Sequence, residues 1–167
     1  FLHCPTRNLS LQPNGNGLAL GRNNDDNARW KRYRGGTSGE IWLDQKGERN
    51  FVKLNLPHGN PNGPMWINER IYFVSDHDGI GNIYSCTLTG EGLRPETKHR
   101  EFYARHASTD GKTIVYQMGG DICGLEVATG RDRRIAIQWR SPRVQTQRRF
   151  STATRHLEIY HLHPKGH

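Results

Sequence analysis

Ser75, Asp76 and His77 stand side by side, and their side chains are the types that serve as nucleophile, acid and base in hydrolases. Neighbours on a strand point to opposite faces, so the three cannot all converge where they stand. The plainer reading is a strand end running into the turn Asp76-His77-Asp78-Gly79. No Gly-x-Ser-x-Gly elbow occurs elsewhere to present an exposed serine. Asp76-x-Asp78-Gly79 opens like a calcium loop but lacks the bidentate glutamate downstream at the required offset. His156, His161, His163 and His167 crowd the last twelve residues, and His161 and His163 would share one face of a strand. The plainer reading there is polar edge residues at a junction. Cys4, Cys86 and Cys123 are odd in number and widely spaced, with no Cys-x-x-Cys pair. They read as free thiols, not as a zinc site or a disulfide framework. The residues therefore lead us to expect no catalytic group, no metal and no cofactor in this chain.

The cationic side chains are more informative. Arg29, Lys31, Arg32 and Arg34 surround Trp30 and Tyr33. Such a loop can line a mouth or pore and attract peptide carboxylates. Alternatively, it can form ion-pair contacts with a neighbouring element while Trp30 and Tyr33 pack. Gly35-Gly36-Thr37 follows without the Gly-Lys-Ser/Thr ending of a phosphate loop. Farther on, eight arginines between Arg131 and Arg155 face a single acid, Asp132. A basic patch with aromatics suits nucleic acid. No recognition helix or RNA-binding strand motif accompanies it, so nucleic acid is not expected as a partner.

These loops need elements to hold them. The chain has 167 residues, a formal charge of +8 and 33% hydrophobic residues. Nineteen glycines, with many β-branched and aromatic residues, point to short strands and tight turns. No apolar run is long enough for a membrane helix. No secretory leader pattern is visible, and with the free thiols this makes a cytoplasmic location the expectation. The chain begins at Phe1 in what reads as mid-domain sequence, so a fragment is expected.

Three segments repeat: Gly39-Glu40-Ile41-Trp42-Leu43, Gly81-Asn82-Ile83-Tyr84-Ser85 and Gly120-Asp121-Ile122-Cys123-Gly124. Their isoleucines lie 42 and 39 residues apart. Each has an apolar strand upstream (Leu18-Ala19-Leu20, Ile71 to Val74, Thr113 to Tyr116) and a Gly-containing turn downstream. A period near 40 residues with about four short strands is the mark of a propeller blade. A helical repeat fails because no window sustains apolar spacing of three and four. The expected fold is all-β: a partial β-propeller with about three complete four-stranded blades and partial blades at both ends. The units expected are 12–56, 57–98 and 99–138. Residues 1–147 would be propeller, and 148–167 the passage into a following blade or second propeller. Blades bury their faces against neighbours, so an incomplete ring should be marginal alone or need completion.

Three stretches carry a resemblance beyond the generic blade. They are Arg29-Trp30-Lys31-Arg32-Tyr33-Arg34-Gly35-Gly36-Thr37-Ser38-Gly39-Glu40-Ile41-Trp42-Leu43, then Pro64-Met65-Trp66-Ile67 with Arg70 to Ser85, then Glu101 to Gln117. In order, they resemble the N-terminal six-bladed propeller of the tricorn protease family, from about Ala19 to His167 and more weakly before that. The resemblance implies large cytoplasmic serine peptidases, assembled as homohexamers, that trim peptides released by the proteasome. It implies a second, seven-bladed propeller, a helical segment, a PDZ-like domain and a catalytic region elsewhere. It also implies that the propellers gate passage to and from the active-site chamber. Under it, this chain covers the second half of the six-bladed ring, and Arg148 to His167 resembles the passage onward. The family's catalytic residues lie in regions absent here, so none is carried over.

Two functions are thus expected. One is a non-catalytic gating or scaffolding segment of a tricorn-like peptidase. Its partners would be the other propeller and protease domains of the parent, peptides and copies of the parent, with no membrane. The alternative is a stand-alone protein- or peptide-binding propeller fragment with an Arg-rich surface. The residues expected to contact a peptide or pore, or a neighbouring domain, are Arg29, Lys31, Arg32 and Arg34.

Overall fold

The computed structural model describes residues 6–166; Cys4 and His167, named above, lie outside them. The chain divides into two units, 1–136 and 137–167. In the first, three four-stranded antiparallel sheets follow one another along the sequence. The first sheet holds β1 (Thr6–Leu11), β2 (Leu18–Arg22), β3 (Glu40–Asp44) and β4 (Val52–Lys53). The second holds β5 (Asn62–Ile67), β6 (Arg70–Ser75), β7 (Asn82–Thr87) and β8 (Arg94–Pro95). The third holds β9 (Ala104–Thr109), β10 (Thr113–Met118), β11 (Asp121–Glu126) and β12 (Arg131–Arg134). Strands pair only with their sequence neighbours, each sheet being an up-and-down meander. β1 lies before residue 12, where the first unit was expected to begin. Its six residues ahead of the Pro13-Asn14-Gly15 turn carry no distinctive strand pattern.

The repeat has a concrete basis in hydrogen bonds. The amides of Leu54, Glu96 and Ile135 donate to the carbonyls of Ile41, Ile83 and Ile122 at 2.9, 2.8 and 2.8 Å. Each pair is thirteen residues apart, so every Gly-x-Ile strand closes on its outer strand in the same way. The glycine that opens the motif has a steric reason. A Cβ on Gly39 would sit 2.0 Å from the Pro61 carbonyl oxygen, and one on Gly81 would sit 2.7 Å from the Tyr103 ring. Both neighbours belong to the crossover leading to the next sheet. At Gly120, which no fourth crossover approaches among the described residues, the same Cβ would meet nothing within 4 Å.

Strand periodicity sorts the middle sheet into two cores. Ile71 and Phe73 of β6, with Trp66, Tyr84 and Cys86, pack on Ala19, Ile41 and Leu43 of the first sheet. Tyr72 and Val74 point the other way, with Met65, Ile67 and Ile83, onto Ile114, Tyr116, Cys123 and Leu125 of the third. A sheet covered on both faces reads as a continuous apolar run, which is why Ile71 to Val74 lacks alternation. The third sheet is covered on one face, so Ile114 and Tyr116 are buried while Val115 between them is exposed. The inner strands are also stitched together by polar groups. Ser10 Oγ accepts from the Trp66 amide at 2.8 Å, and Asn8 Oδ1 from the Gly63 amide at 3.3 Å.

The second unit carries two short 3-10 turns, Val144–Thr146 and Ala153–His156, and no buried residue in either. No strand lies in it among its described residues. No helix among the described residues is long and apolar enough to cross a membrane.

Candidate functional site

The connection between β2 and β3 is long because it has a docking job. Residues 23–39 leave the first sheet and reach the tight turn between β6 and β7 of the second. Asp76 directly follows β6 and is fully buried, and both its carboxylate oxygens are spoken for. Oδ2 accepts from the Arg32 amide at 2.7 Å, and Oδ1 from the Asn60 amide at 3.0 Å. Arg32 adopts φ 58°, a left-handed conformation that aims its amide into this contact. Its side chain then donates Nε to the Gly79 carbonyl at 3.1 Å, and Arg34 Nη2 donates to the His77 carbonyl at 3.4 Å. Lys31 Nζ lies 5.3 Å from the centre of the Tyr103 ring, whose hydroxyl donates to the same Gly79 carbonyl at 2.9 Å. Three of the four expected cations are therefore held against the second sheet and its following crossover by backbone acceptors and a ring face. The first sheet's loop becomes a strap across the second.

Arg29 is arranged differently. It lines a cleft of ≈ 180 Å³ with Arg7, Asn23, Asn24, Asp25, Trp30, Tyr33, Thr37 and Asn60. The Trp30 and Tyr33 rings lie 5.1 Å apart at its wall, and Tyr33 is fixed by a 3.0 Å contact between its hydroxyl and Thr37 Oγ1. Charge and aromatic surface thus meet in one exposed concavity.

The strap is also tied to the third sheet. Asp26 forms an ion pair with Arg105 of β9, seventy-nine residues away, through both guanidinium nitrogens that face it. Its Oδ1 also accepts from the Ala28 amide at 3.0 Å. Burial works to raise the Asp26 carboxyl, but the Arg105 hydrogen bond and the Ala28 amide outweigh it and hold it below the usual carboxylate range. A depressed native value means stability that is present above the unfolded-state value and lost as pH falls through the native one. Wild type and Asp26→Asn are therefore expected to converge in denaturation midpoint on acidifying from pH 6 to below about pH 4. Chemical unfolding at the two pH values measures this; a gap that persists at low pH excludes the ion pair as its source.

Sequence reasoning reached the cations and missed the acids that place them. Asp26 and Asp76 gave no periodic signal, and their partners lie far along the chain. The one available hint was a pair of acids, Asp25-Asp26, opening an otherwise basic loop.

The Ser75-Asp76-His77 trio divides as strand geometry requires. Ser75 Oγ and His77 Nδ1 are 3.1 Å apart on one face, while Asp76 turns away to its backbone donors. The acid near the other imidazole nitrogen is Asp78, with 3.6 Å between His77 Nε2 and Asp78 Oδ2. Ser75 is buried, so no substrate carbonyl can reach it. Cys86 is likewise buried, and burial pushes its thiol up to about 11, the property of an inert core cysteine. Among the described residues, no three His, Cys, Asp or Glu side chains are grouped to hold a metal ion.

Three successive meander sheets, packed face to face and strapped by loops at one end, are blades of a propeller. Residues 3–131 match the tricorn protease N-terminal beta propeller domain. The chain belongs to this tricorn family. A tricorn protease homolog of Saccharolobus solfataricus is 46% identical over 105 residues, 63% of this chain and 10% of that protein. The tricorn protease of Thermoplasma volcanium is 45% identical over 112 residues, 67% of this chain and 11% of its own. Among solved structures, the crystal structure of the tricorn protease superposes with a TM-score of 0.74 at 36% identity, covering 83% of this chain and 13% of that one. The chain thus spans about a tenth of the length of its tricorn relatives. The family match begins ahead of the residue-19 start expected from the motifs. It ends at residue 131, short of the resemblance expected through His167.

Proposed function

We propose that this chain is a non-catalytic propeller segment of a tricorn-like serine peptidase, gating or scaffolding the active-site chamber of an enzyme that degrades peptides downstream of the proteasome. In this reading the parent is a cytoplasmic homohexamer. Residues 1–147 belong to the propeller, and 148–167 form the passage toward a following blade. The observation that carries the reading is the strap: a family propeller whose β2–β3 loop is fixed on two neighbouring blades and shows cations at one end. A backbone loop fixed in this way keeps its uncommitted cations at one place on the surface, where they attract a passing peptide's carboxylate. Arg29 and Lys31 are the two whose heads are not committed to a backbone carbonyl, so they are the peptide-facing pair. Arg32 and Arg34 hold the strap.

Two measurements test this. Purified chain incubated with short peptides is expected to hydrolyse none above the buffer rate. It is expected to show backbone shifts at residues 29–34 on titration with peptides bearing a free C-terminal carboxylate, and none with the amidated forms. Hydrolysis by the chain, or equal shifts with both peptide forms, overturns the reading. A reading frame that stops at His167 would instead favour the stand-alone binding fragment, for which the Arg-rich residues 131–155 would be the contact surface.

A further inference from the structure

The two junctions between the three sheets are built to one plan but differ in chemistry at one place. In the second sheet, β7–β8 pairing sets Arg94 opposite Ser85, which extended by one residue brings Leu93 to Cys86, and β6–β7 pairing sets Cys86 opposite Ile71. In the third, Asp132 is opposite Leu125, and Leu125 opposite Ile114. Phe73 and Leu93 therefore hold in the second sheet the places of Tyr116 and Asp132 in the third. At the first junction, Leu56 of the crossover and Leu93 pack against the apolar cluster that holds Phe73. At the second, the crossover residue is His99, and the contact is polar throughout. His99 Nε2 is 2.7 Å from the Tyr116 hydroxyl and 3.4 Å from Asp132 Oδ2. Tyr116 donates to Asp132 Oδ1 at 2.7 Å. His99 is itself anchored, because its amide donates to Asn82 Oδ1 at 2.8 Å.

With the Tyr116 proton committed to Asp132, the phenol oxygen accepts from His99 Nε2–H. Neutral His99 satisfies this bond, and a protonated imidazole keeps it while adding a charge 3.4 Å from the Asp132 carboxylate. We propose that His99, Tyr116 and Asp132 form an acid-tightened latch, which makes the contact of the second crossover with the third sheet pH-responsive, where the matching places in the second sheet are apolar. Histidine is the side chain whose charge ordinarily changes between about pH 5 and 8.

The other charged and titratable groups around the latch are accounted for. From the third sheet, Cys123 of β11 faces Tyr116, and Arg134 is paired with Asp121 at 3.1 Å. From the second, Glu96 is held by Arg94 at 2.8 Å. On the crossover itself, Lys98 and Arg100 flank His99 in sequence, and Glu101 follows. Asp132 is the carboxylate within 4 Å of the imidazole.

The test is amide hydrogen exchange on the full 167-residue chain at pH 5.5 and 8, corrected for intrinsic exchange, reading Arg133 and Ile135 beside the latch and Leu54 at the equivalent place in the first sheet. Protection at Arg133 and Ile135 relative to Leu54 is expected to rise about fivefold on acidification in the wild type. In His99→Gln it is expected to stay flat. Asp132→Asn, which keeps an acceptor for Tyr116, should be flat as well. A wild-type ratio that does not change with pH overturns the latch whatever the variants do. A rise that survives in Asp132→Asn assigns the response to another group and overturns it too.

Discussion

Asp76→Ala is expected to destabilise the chain by about 3–5 kcal/mol and to release the basic strap from the second blade. Asp76 is fully buried, and it receives the Arg32 amide from a loop of the first blade and the Asn60 amide from the crossover. Removing the carboxylate strands both donors, and hydrogen bonds to a charged acceptor contribute about 1.5–3 kcal/mol each. Asp76→Asn preserves shape and one acceptor oxygen, so its cost should be about half as large. The decisive readout is local. Limited proteolysis within 29–36 should accelerate in Asp76→Ala well before global unfolding, because the left-handed Arg32 conformation and the Arg32 and Arg34 side-chain bonds to the 76–79 turn depend on that amide contact. Unaltered cleavage in this loop would show that the two arginine side chains dock it without the buried acid.

The second large effect concerns the open face of the first blade. Leu9 and Leu11 of β1 are 57% and 64% exposed, and their register partners Leu20 and Leu18 lie on the same face. Trp42 continues the patch beside Leu20, with the Arg22 guanidinium 5.1 Å from its ring. The corresponding faces of the second and third blades, carrying Phe73 and Tyr116, are buried against their neighbours. A contiguous apolar face of this kind drives association at about 25 cal/mol per Å² of area removed from water. The 167-residue chain is therefore expected to self-associate in solution. Leu9→Lys together with Leu11→Lys should weaken that association by about tenfold or more. Sedimentation velocity across a concentration series measures it. A wild-type chain that remains monomeric throughout would mean the face is not adhesive, and would remove the basis for expecting an incomplete ring to need completion.

Blade architecture was legible because its causes are local. The Gly-x-Ile period, the apolar strands upstream and the turns after them each depend on neighbours within about fifteen residues, so composition and spacing expose them. The glycine at the head of each motif is the instructive intermediate case. Its recurrence is visible in sequence, but the reason for it, a crossover pressed onto Gly39 and Gly81, appears only once the next sheet is in place. The start of the first unit was placed too late because β1 is largely exposed and its first half, Thr6-Arg7-Asn8, is wholly polar. The basic cluster at 29–34 was visible as composition, which says nothing about which cations are committed. That division is made by partners forty to eighty residues away: the acceptors on Asp76, His77 and Gly79 for Arg32 and Arg34, and the Arg105 guanidinium, which donates to Asp26.

By itself, then, the sequence determined the all-β repeat, the number of complete blades and the family, since hydrophobic period and turn chemistry are properties of short windows. Tertiary structure decided which polar residues matter. A buried acid such as Asp76, or a His99–Tyr116–Asp132 contact replacing an apolar one, takes its meaning from partners that only the packing of one sheet on the next brings within hydrogen-bond distance.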